Sequence, residues 1–341
     1  MRRLLLPFLC AAASVSCSPY VQRPGSGGEL MHGPPWEKQY FKHNPAANRS
    51  AVQGRGALSG EALQVLARQH AEAYATARPF KNIVIDGLLP QPLALACMRE
   101  LQAKHEATSF WKTRQTTMGF KRGRGGYPEN AEGGAFGLST ARLFDFFQSP
   151  RFVAFLKTLT GIRDLMIDRR MFGGGVFSIT NGGFLSLHTD FNQHLQCSEK
   201  KHRELSTQVP PGCTVATPGW RRINVLLYLN QDWREEWGGS FELWRTDGNY
   251  SFLDYYAKVL PQFNRVVIFS VTDTSIHGHL DQINHPLGDT RKSLSFYYYT
   301  RDIHDEPLIT PLLHESIYMP GHAAKRSKSR WHKMVPRYII R

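Results

Sequence analysis

From Val176 to Thr300 the chain is a succession of short runs rich in β-branched and aromatic residues: VFSIT, GGFLSLHTD, RINVLLYLN, SFELWR, RVVIFS and SLSFYYYT. Each is bounded by Gly, Asn, Asp or Pro, residues that turn a chain rather than extend it. These six runs constrain the fold more than any other feature, because a strand cannot satisfy its own backbone and must join a sheet. The residues before them follow a different period. Ser59 stands as a cap before EALQVLARQHAEAYATA (Glu61 to Ala77), Pro92 opens a second helix running to about Lys104, and Thr140 to Leu159 keeps helical spacing with an interruption near Pro150. Between the first two, FKNIVIDGLLP reads as a short strand leading into a turn. The expected fold is therefore α+β, with helical support over residues 59–164 and a β-sandwich or open barrel over 165–300.

The remaining segments read as connections or extensions. Residues 18–58 are rich in Gly, Pro, Asn and Arg and form a linker or irregular region, and residues 111–138, which include KRGRGGYPENAEGG, read as a mobile excursion. MRRLLLPFLCAAASVSCSPY has the layout of a secretory signal over residues 1–17, which sets the expected localisation as the secretory pathway or an extracytoplasmic space; Pro7 and the shortness of the run leave an uncleaved anchor or an organelle signal, and a cytoplasmic or organellar protein, as the alternatives. No later segment has the 18 or more consecutive apolar residues of a membrane span. Cys10 and Cys17 fall in the signal region. Cys97 reads as a small buried hydrophobe, and Cys197 and Cys213 bracket a polar loop where an exported chain could pair them. Asn48 and Asn249 each begin an N-x-Ser triplet.

The formal charge of +14 suggests nucleic acid until it is mapped along the chain. Seven Lys or Arg and no acid lie in the last 17 residues, KRSKSRWHKMVPRYIIR, within a basic C-terminal extension over 311–341. A terminal charge block is ordinarily a solvated extension, or a contact for an anionic partner. The body of the chain carries no basic reader element, no dinucleotide fingerprint and no P-loop.

The chemistry gathers among the β runs. His188 and Asp190 stand two apart at the end of a strand, so both side chains leave one face. The spacing alone says little, since His279 and Asp281 repeat it. Context separates the pairs: several strands follow His188, and His277 lies just beyond VVIFS, whereas no strand after the second pair could present a third ligand. Two imidazoles and a carboxylate on one face of an iron ion leave three positions for co-substrate and O₂. On the last run, Arg291, Ser293 and Ser295 project to one side. An inward guanidinium there is costly unless an anion meets it, and it can hold a carboxylate through paired hydrogen bonds. A dicarboxylate so anchored could chelate the metal through a keto acid at its other end. On the bland reading Arg291 starts an edge strand facing water.

The stretches GGGVFSITNGGFLSLHTDFNQH, RRINVLLYLNQDWREEWGGSFELW, RVVIFSVTDTSIHGH and TRKSLSFYYYT resemble, in order and strand pattern, the 2-oxoglutarate and Fe(II)-dependent oxygenase superfamily, in its prolyl 4-hydroxylase-like branch. The resemblance implies a double-stranded β-helix, or jelly roll. It makes His188, Asp190 and His277 the iron ligands and Arg291, with Ser293, the site for the distal carboxylate of 2-oxoglutarate. It further implies O₂ as co-substrate and ascorbate as a reductant. Members of the branch often carry Lys where Arg291 stands, so the R-x-S ending sets this chain apart from collagen-type relatives. Tyr228 and Tyr297 are candidates to line the co-substrate pocket.

The expected function is hydroxylation of a C–H bond, of a peptidyl prolyl or other amino-acid residue, with release of succinate and CO₂. Peptides, proteins and small molecules are the candidate substrates. The alternatives are a related oxygenase acting on a carbohydrate or small metabolite and a non-catalytic β-sandwich binding module; nucleic-acid demethylation has only the tail charge in its favour. The long segment 194–219 reads as a loop over the cavity mouth. His279 reads as a substrate-orienting or structural residue, and Trp237 as packing against the Gly238-Gly239 turn.

Overall fold

A computed structural model describes residues 59–105, 112–116, 119–124, 136–168, 171, 174–191, 193–195, 218–247 and 253–301. The signal-like segment, the 18–58 stretch, both N-x-Ser triplets, Cys197, Cys213, nearly all of the 194–219 loop and the basic tail lie outside the described residues.

The helices begin where the sequence supplies caps. Helix α1 (Gly60–Thr76) starts at Ser59, whose hydroxyl accepts from the Ala62 N–H at 3.1 Å. Its buried positions, Leu63, Leu66, Ala67, His70, Ala73 and Tyr74, fall on one face at helical spacing. After strand β1 (Asn82–Asp86) comes α2 (Gln91–His105). From α2 the Glu100 carboxylate accepts from the N–H groups of Ser139 and Thr140 at 2.8 Å, capping α3 (Leu138–Phe147) across 39 or more residues of chain. Helix α4 (Pro150–Thr160) has Ser149 as cap, Pro150 in its first turn and Gly161 closing it at φ +77°.

The strands are β2 (Lys112–Thr116), β3 (Gly119–Arg124), β4 (Met166–Ile167), β5 (Gly175–Ile179), β6 (Leu185–His188), β7 (Gln193–Leu195), β8 (Pro218–Tyr228), β9 (Phe241–Thr246), β10 (Leu253–Val259), β11 (Arg265–Ser270), β12 (Ile276–His279) and β13 (Arg291–Thr300). They form two antiparallel sheets. The larger runs β1-β11-β8-β13-β5-β3-β2, with β4 on β13 and β7 on β8; the smaller runs β10-β9-β12-β6. The architecture is α+β, as expected.

Alternation along the central strands explains the layering. Ile223, Val225 and Leu227 of β8, Val266 and Ile268 of β11, and Leu294, Phe296 and Tyr298 of β13 pack with the helices in one cluster. The intervening Leu226, Tyr228, Val267 and Phe269 pack instead with Phe241, Leu243, Ala257 and Val259 of the smaller sheet. Both faces of the larger sheet are thus covered, one by helices and one by the second sheet. The helix side is dense in aromatics: the Phe147 ring lies 4.5 Å from Phe296 and 4.9 Å from Phe152. A bidentate ion pair from Arg265 to Asp86, at 2.6 and 2.9 Å, pins β1 to β11.

Two expectations need correction. The stretch read as an excursion from residue 111 contains β2 and β3, which extend the larger sheet because β3 pairs with β5 from Lys121↔Ile179 to Arg124↔Val176. Backbone pairing, not side-chain pattern, makes them strands. The six β runs also omit β10, where a bulge between Tyr255 and Ala257 interrupts the alternation.

Candidate metal centre

Strands β6 and β12 pair so that His188 and His277 are direct cross-strand partners. His277 also stands opposite Leu243, on the face of the smaller sheet that packs against the larger one. Leu187, Trp244 and Ile276 pack together on the other face. The chain leaves β6 at His188, and two residues later Asp190 turns into the same space. His188, Asp190 and His277 are buried at 4, 6 and 3% exposure, and their ligand-type atoms all lie within 4.8 Å of one another.

Both imidazoles are set by the same backbone device. Nδ1 of His188 lies 2.7 Å from the Ser186 carbonyl, and Nδ1 of His277 lies 2.9 Å from the Ser275 carbonyl. A carbonyl only accepts, so each Nδ1 donates and each Nε2 is the ring atom turned toward Asp190. The two Nε2 atoms stand 3.6 Å from Oδ1 and 3.4 Å from Oδ2 of Asp190 respectively. Phe269 and Phe241, with ring centres 4.7 and 5.5 Å from that of His277, close the apolar side. Two imidazoles and one carboxylate converging out of water are the donor set of a two-histidine, one-carboxylate iron site.

Asp190 is held as an anion. Burial alone would raise its pKa, yet its hydrogen bond with His277 and the charges of His188, His277 and Arg221 hold it well below the usual carboxylate range. The Tyr297 hydroxyl donates to Oδ2 at 2.5 Å and the Asn224 amide donates to the same oxygen at 3.2 Å. Burial and the Asp190 charge keep the Tyr297 phenol protonated, far above its ordinary pKa. The Arg221 guanidinium stacks 3.8 Å over the Tyr297 ring and donates to the Tyr299 hydroxyl.

On β13, Arg291, Ser293, Ser295 and Tyr297 occupy alternate positions, and β8 pairs Ser293 with Tyr228 and Tyr297 with Asn224. Arg291 is buried. Its Nε donates to the Gly239 carbonyl at 2.6 Å and Nη2 to the Tyr228 hydroxyl at 3.2 Å. Burial lowers its pKa, and Tyr228 alone offsets this; no carboxylate among the described residues pairs with it. A desolvated guanidinium without a counter-ion is a built receptor for one.

The sequence-derived residues therefore divide. His188, Asp190 and His277 converge; Arg291, Ser293 and Tyr228 lie together on the larger sheet, along the β13 face that carries Tyr297; and Tyr297 contacts the Asp190 carboxylate. The repeated pair does not converge, since His279 is buried in β12 while exposed Asp281 pairs with Lys258. Trp237 packs against Trp233 and His285, beside the turn as expected. Sequence reasoning did not find Asn224 or Arg221. The alternation of polar and apolar residues in RRINVLLY, which puts Asn224 and Tyr228 on one face, is the signal that could have found Asn224.

Residues 174–299 match the family model described as the 2OG-Fe(II) oxygenase superfamily. Over 81 residues the chain is 31% identical to the prolyl 3-hydroxylase OGFOD1 of Mus musculus, a match that covers 23% of this chain and 14% of that protein. Among solved structures, a prolyl 4-hydroxylase of Phytophthora capsici is similar at 18% identity over 74% of this chain and 70% of the other, with TM-score 0.44. A prolyl hydroxylase of Trichoplax adhaerens, solved with a hypoxia-inducible-factor peptide, is similar at 13% identity over 70% and 91%, with TM-score 0.44. HygX of Streptomyces hygroscopicus, solved with nickel, 2-oxoglutarate and hygromycin B, follows at 16% identity over 64% and 82%, with TM-score 0.40. The matched stretch spans the ligand cluster and Arg291.

Proposed function

We propose that this chain is an Fe(II)- and 2-oxoglutarate-dependent dioxygenase that hydroxylates a C–H bond of a peptidyl prolyl or other amino-acid residue. The observation that carries the proposal is the pairing of a buried three-ligand cluster, its histidines on the smaller sheet, with an uncompensated guanidinium on the larger sheet. The peptidyl substrate is favoured by the segment of likeness to a protein named a prolyl 3-hydroxylase. We read the two facing sheets as the halves of a double-stranded β-helix, which would place the ligands at its open end.

When bound, Fe(II) and 2-oxoglutarate supply the O₂ chemistry that couples decarboxylation to succinate and CO₂ with hydroxylation of the substrate. The chain supplies position. His188 and His277 offer Nε2 lone pairs, Asp190 offers a negative charge, and Arg291 with the Tyr228 hydroxyl takes the distal carboxylate. Phe241 and Phe269 keep water from the cluster, which strengthens each electrostatic contact inside it.

The test is succinate release by purified protein supplied with Fe(II), 2-oxoglutarate and ascorbate, against peptide pools and small-metabolite pools. A proline-containing peptide that raises succinate release and gains one oxygen atom supports the reading. Stimulation by carbohydrates or small metabolites alone would overturn the peptidyl substrate, and no iron-dependent turnover would overturn the activity.

A further inference from the structure

We propose that Tyr297 and Asn224 are positioning residues that occupy one oxygen of Asp190, so that Asp190 meets the metal through its other oxygen alone and the remaining positions stay open for 2-oxoglutarate. The proposal rests on the iron and 2-oxoglutarate reading above and concerns how the site keeps its vacant positions.

The two residues are cross-strand partners, Tyr297 on β13 and Asn224 on β8. From one rung of the sheet they reach the same atom: the phenol donates to Oδ2 at 2.5 Å and the amide at 3.2 Å. A carboxylate oxygen has two in-plane lone pairs, and here both have donors. Oδ1 accepts no hydrogen bond from the described residues; the nearest nitrogens are Nε2 of His188 at 3.6 Å and Nη1 of Arg221 at 3.7 Å. The carboxylate is therefore differentiated: Oδ2, which also faces His277 Nε2 at 3.4 Å, takes both hydrogen bonds, and Oδ1 faces His188 Nε2 without one. Two-oxygen chelation by Asp190 would need a lone pair of Oδ2 that is already taken.

The donors are themselves fixed. Ser295 Oγ donates to Asn224 Oδ1 at 3.2 Å, which turns the amide N–H₂ toward Asp190. Arg221, buried and stacked 3.8 Å over the Tyr297 ring, holds the phenol in place and is itself anchored on Tyr299. A tyrosine buried only for packing could satisfy its hydroxyl on any nearby carbonyl, as Tyr298 does on Phe147. Tyr297 and Asn224 instead converge on a single ligand atom. Groups that orient a ligand in this way commonly shift metal affinity or activity by about 10- to 100-fold when removed.

The experiment compares the full-length wild type with Tyr297→Phe, Asn224→Ser and the double variant. Calorimetry measures Mn(II) affinity, then the affinity of Mn(II)-loaded protein for 2-oxoglutarate and for oxalate, which has a chelating end but no distal carboxylate. With Oδ2 released, Asp190 can take a second metal position. Mn(II) should stay bound with little change, while 2-oxoglutarate and oxalate each weaken by about 10-fold in the single variants and further in the double. Arg291→Ala serves as the contrast: it should weaken 2-oxoglutarate and leave oxalate unchanged. Unchanged oxalate affinity in the double variant, or Mn(II) and oxalate affinities falling by the same factor, would overturn the proposal. A wild type that binds Mn(II) but no 2-oxoglutarate would overturn the functional reading itself, and this proposal with it.

Discussion

Replacing Gly239 by Ala tests how the anion receptor is shaped. Gly239 has φ +70°, and a Cβ built on it stands 2.9 Å from Arg291 Cδ and 3.1 Å from Ile283 Cγ1. An L-residue in that conformation costs about 1–2 kcal/mol. The methyl must also displace Arg291, whose Nε donates to the Gly239 carbonyl at 2.6 Å. A hydrogen bond to a charged group contributes about 1.5–3 kcal/mol. If the displaced guanidinium cannot recover an equivalent contact with the ligand in place, 2-oxoglutarate affinity falls by roughly 10- to 150-fold. Gly288 provides the control, since it has φ +72° with nothing within 4 Å of a built Cβ. Urea unfolding should show Gly288→Ala destabilised by about 1–2 kcal/mol and Gly239→Ala by more, because its methyl also displaces Arg291. Titration of the Mn(II)-loaded proteins should show weakened 2-oxoglutarate binding in Gly239→Ala only. Equal losses in the two variants, or none in Gly239→Ala, would refute the claim that this glycine shapes the receptor rather than merely permitting a turn.

Phe147→Ala should lower unfolding free energy by about 3–5 kcal/mol, because the ring is fully buried between Phe152 and Phe296. It lies on the helix side of the sheet, so Mn(II) affinity of the folded variant should hold; a loss under about 1 kcal/mol in urea would contradict the packing account. Cys97 makes a pH prediction. Burial, partly offset by a hydrogen bond with Thr140 and reinforced by Glu100, pushes the thiol up from 9.0 to about 12. A raised pKa contributes stability below the unfolded value that is lost as pH rises toward the folded one. The stability advantage of wild type over Cys97→Ala should therefore shrink between pH 9 and about 12, and a constant difference in denaturant melts would contradict it.

Much of this structure was legible because the signals are local. Ser59 marks a helix start by its chemistry, the interruption near Pro150 is where one helix ends and the next begins, and the strands of the larger sheet alternate strongly enough to declare themselves. His188 and Asp190 could be proposed from spacing, and the strands following them pointed to His277. What stayed hidden depends on pairing register. Glu100 caps α3 from another helix, and the pairing of Asn224 with Tyr297 across β8 and β13 brings both to the Asp190 carboxylate. The bulge in β10 and the pairing of β2 and β3 leave no side-chain period to read.

The most direct test of the central claim is anaerobic titration of the protein with Fe(II) and then 2-oxoglutarate, followed in the visible spectrum. The wild type should bind one Fe(II) and develop a metal-to-ligand charge-transfer band when 2-oxoglutarate chelates it. His188→Ala, Asp190→Ala and His277→Ala should each lose the band, whereas Arg291→Ala should form it only at higher 2-oxoglutarate concentration. A folded wild type that binds no Fe(II), or a band that survives removal of all three ligands, would contradict the account.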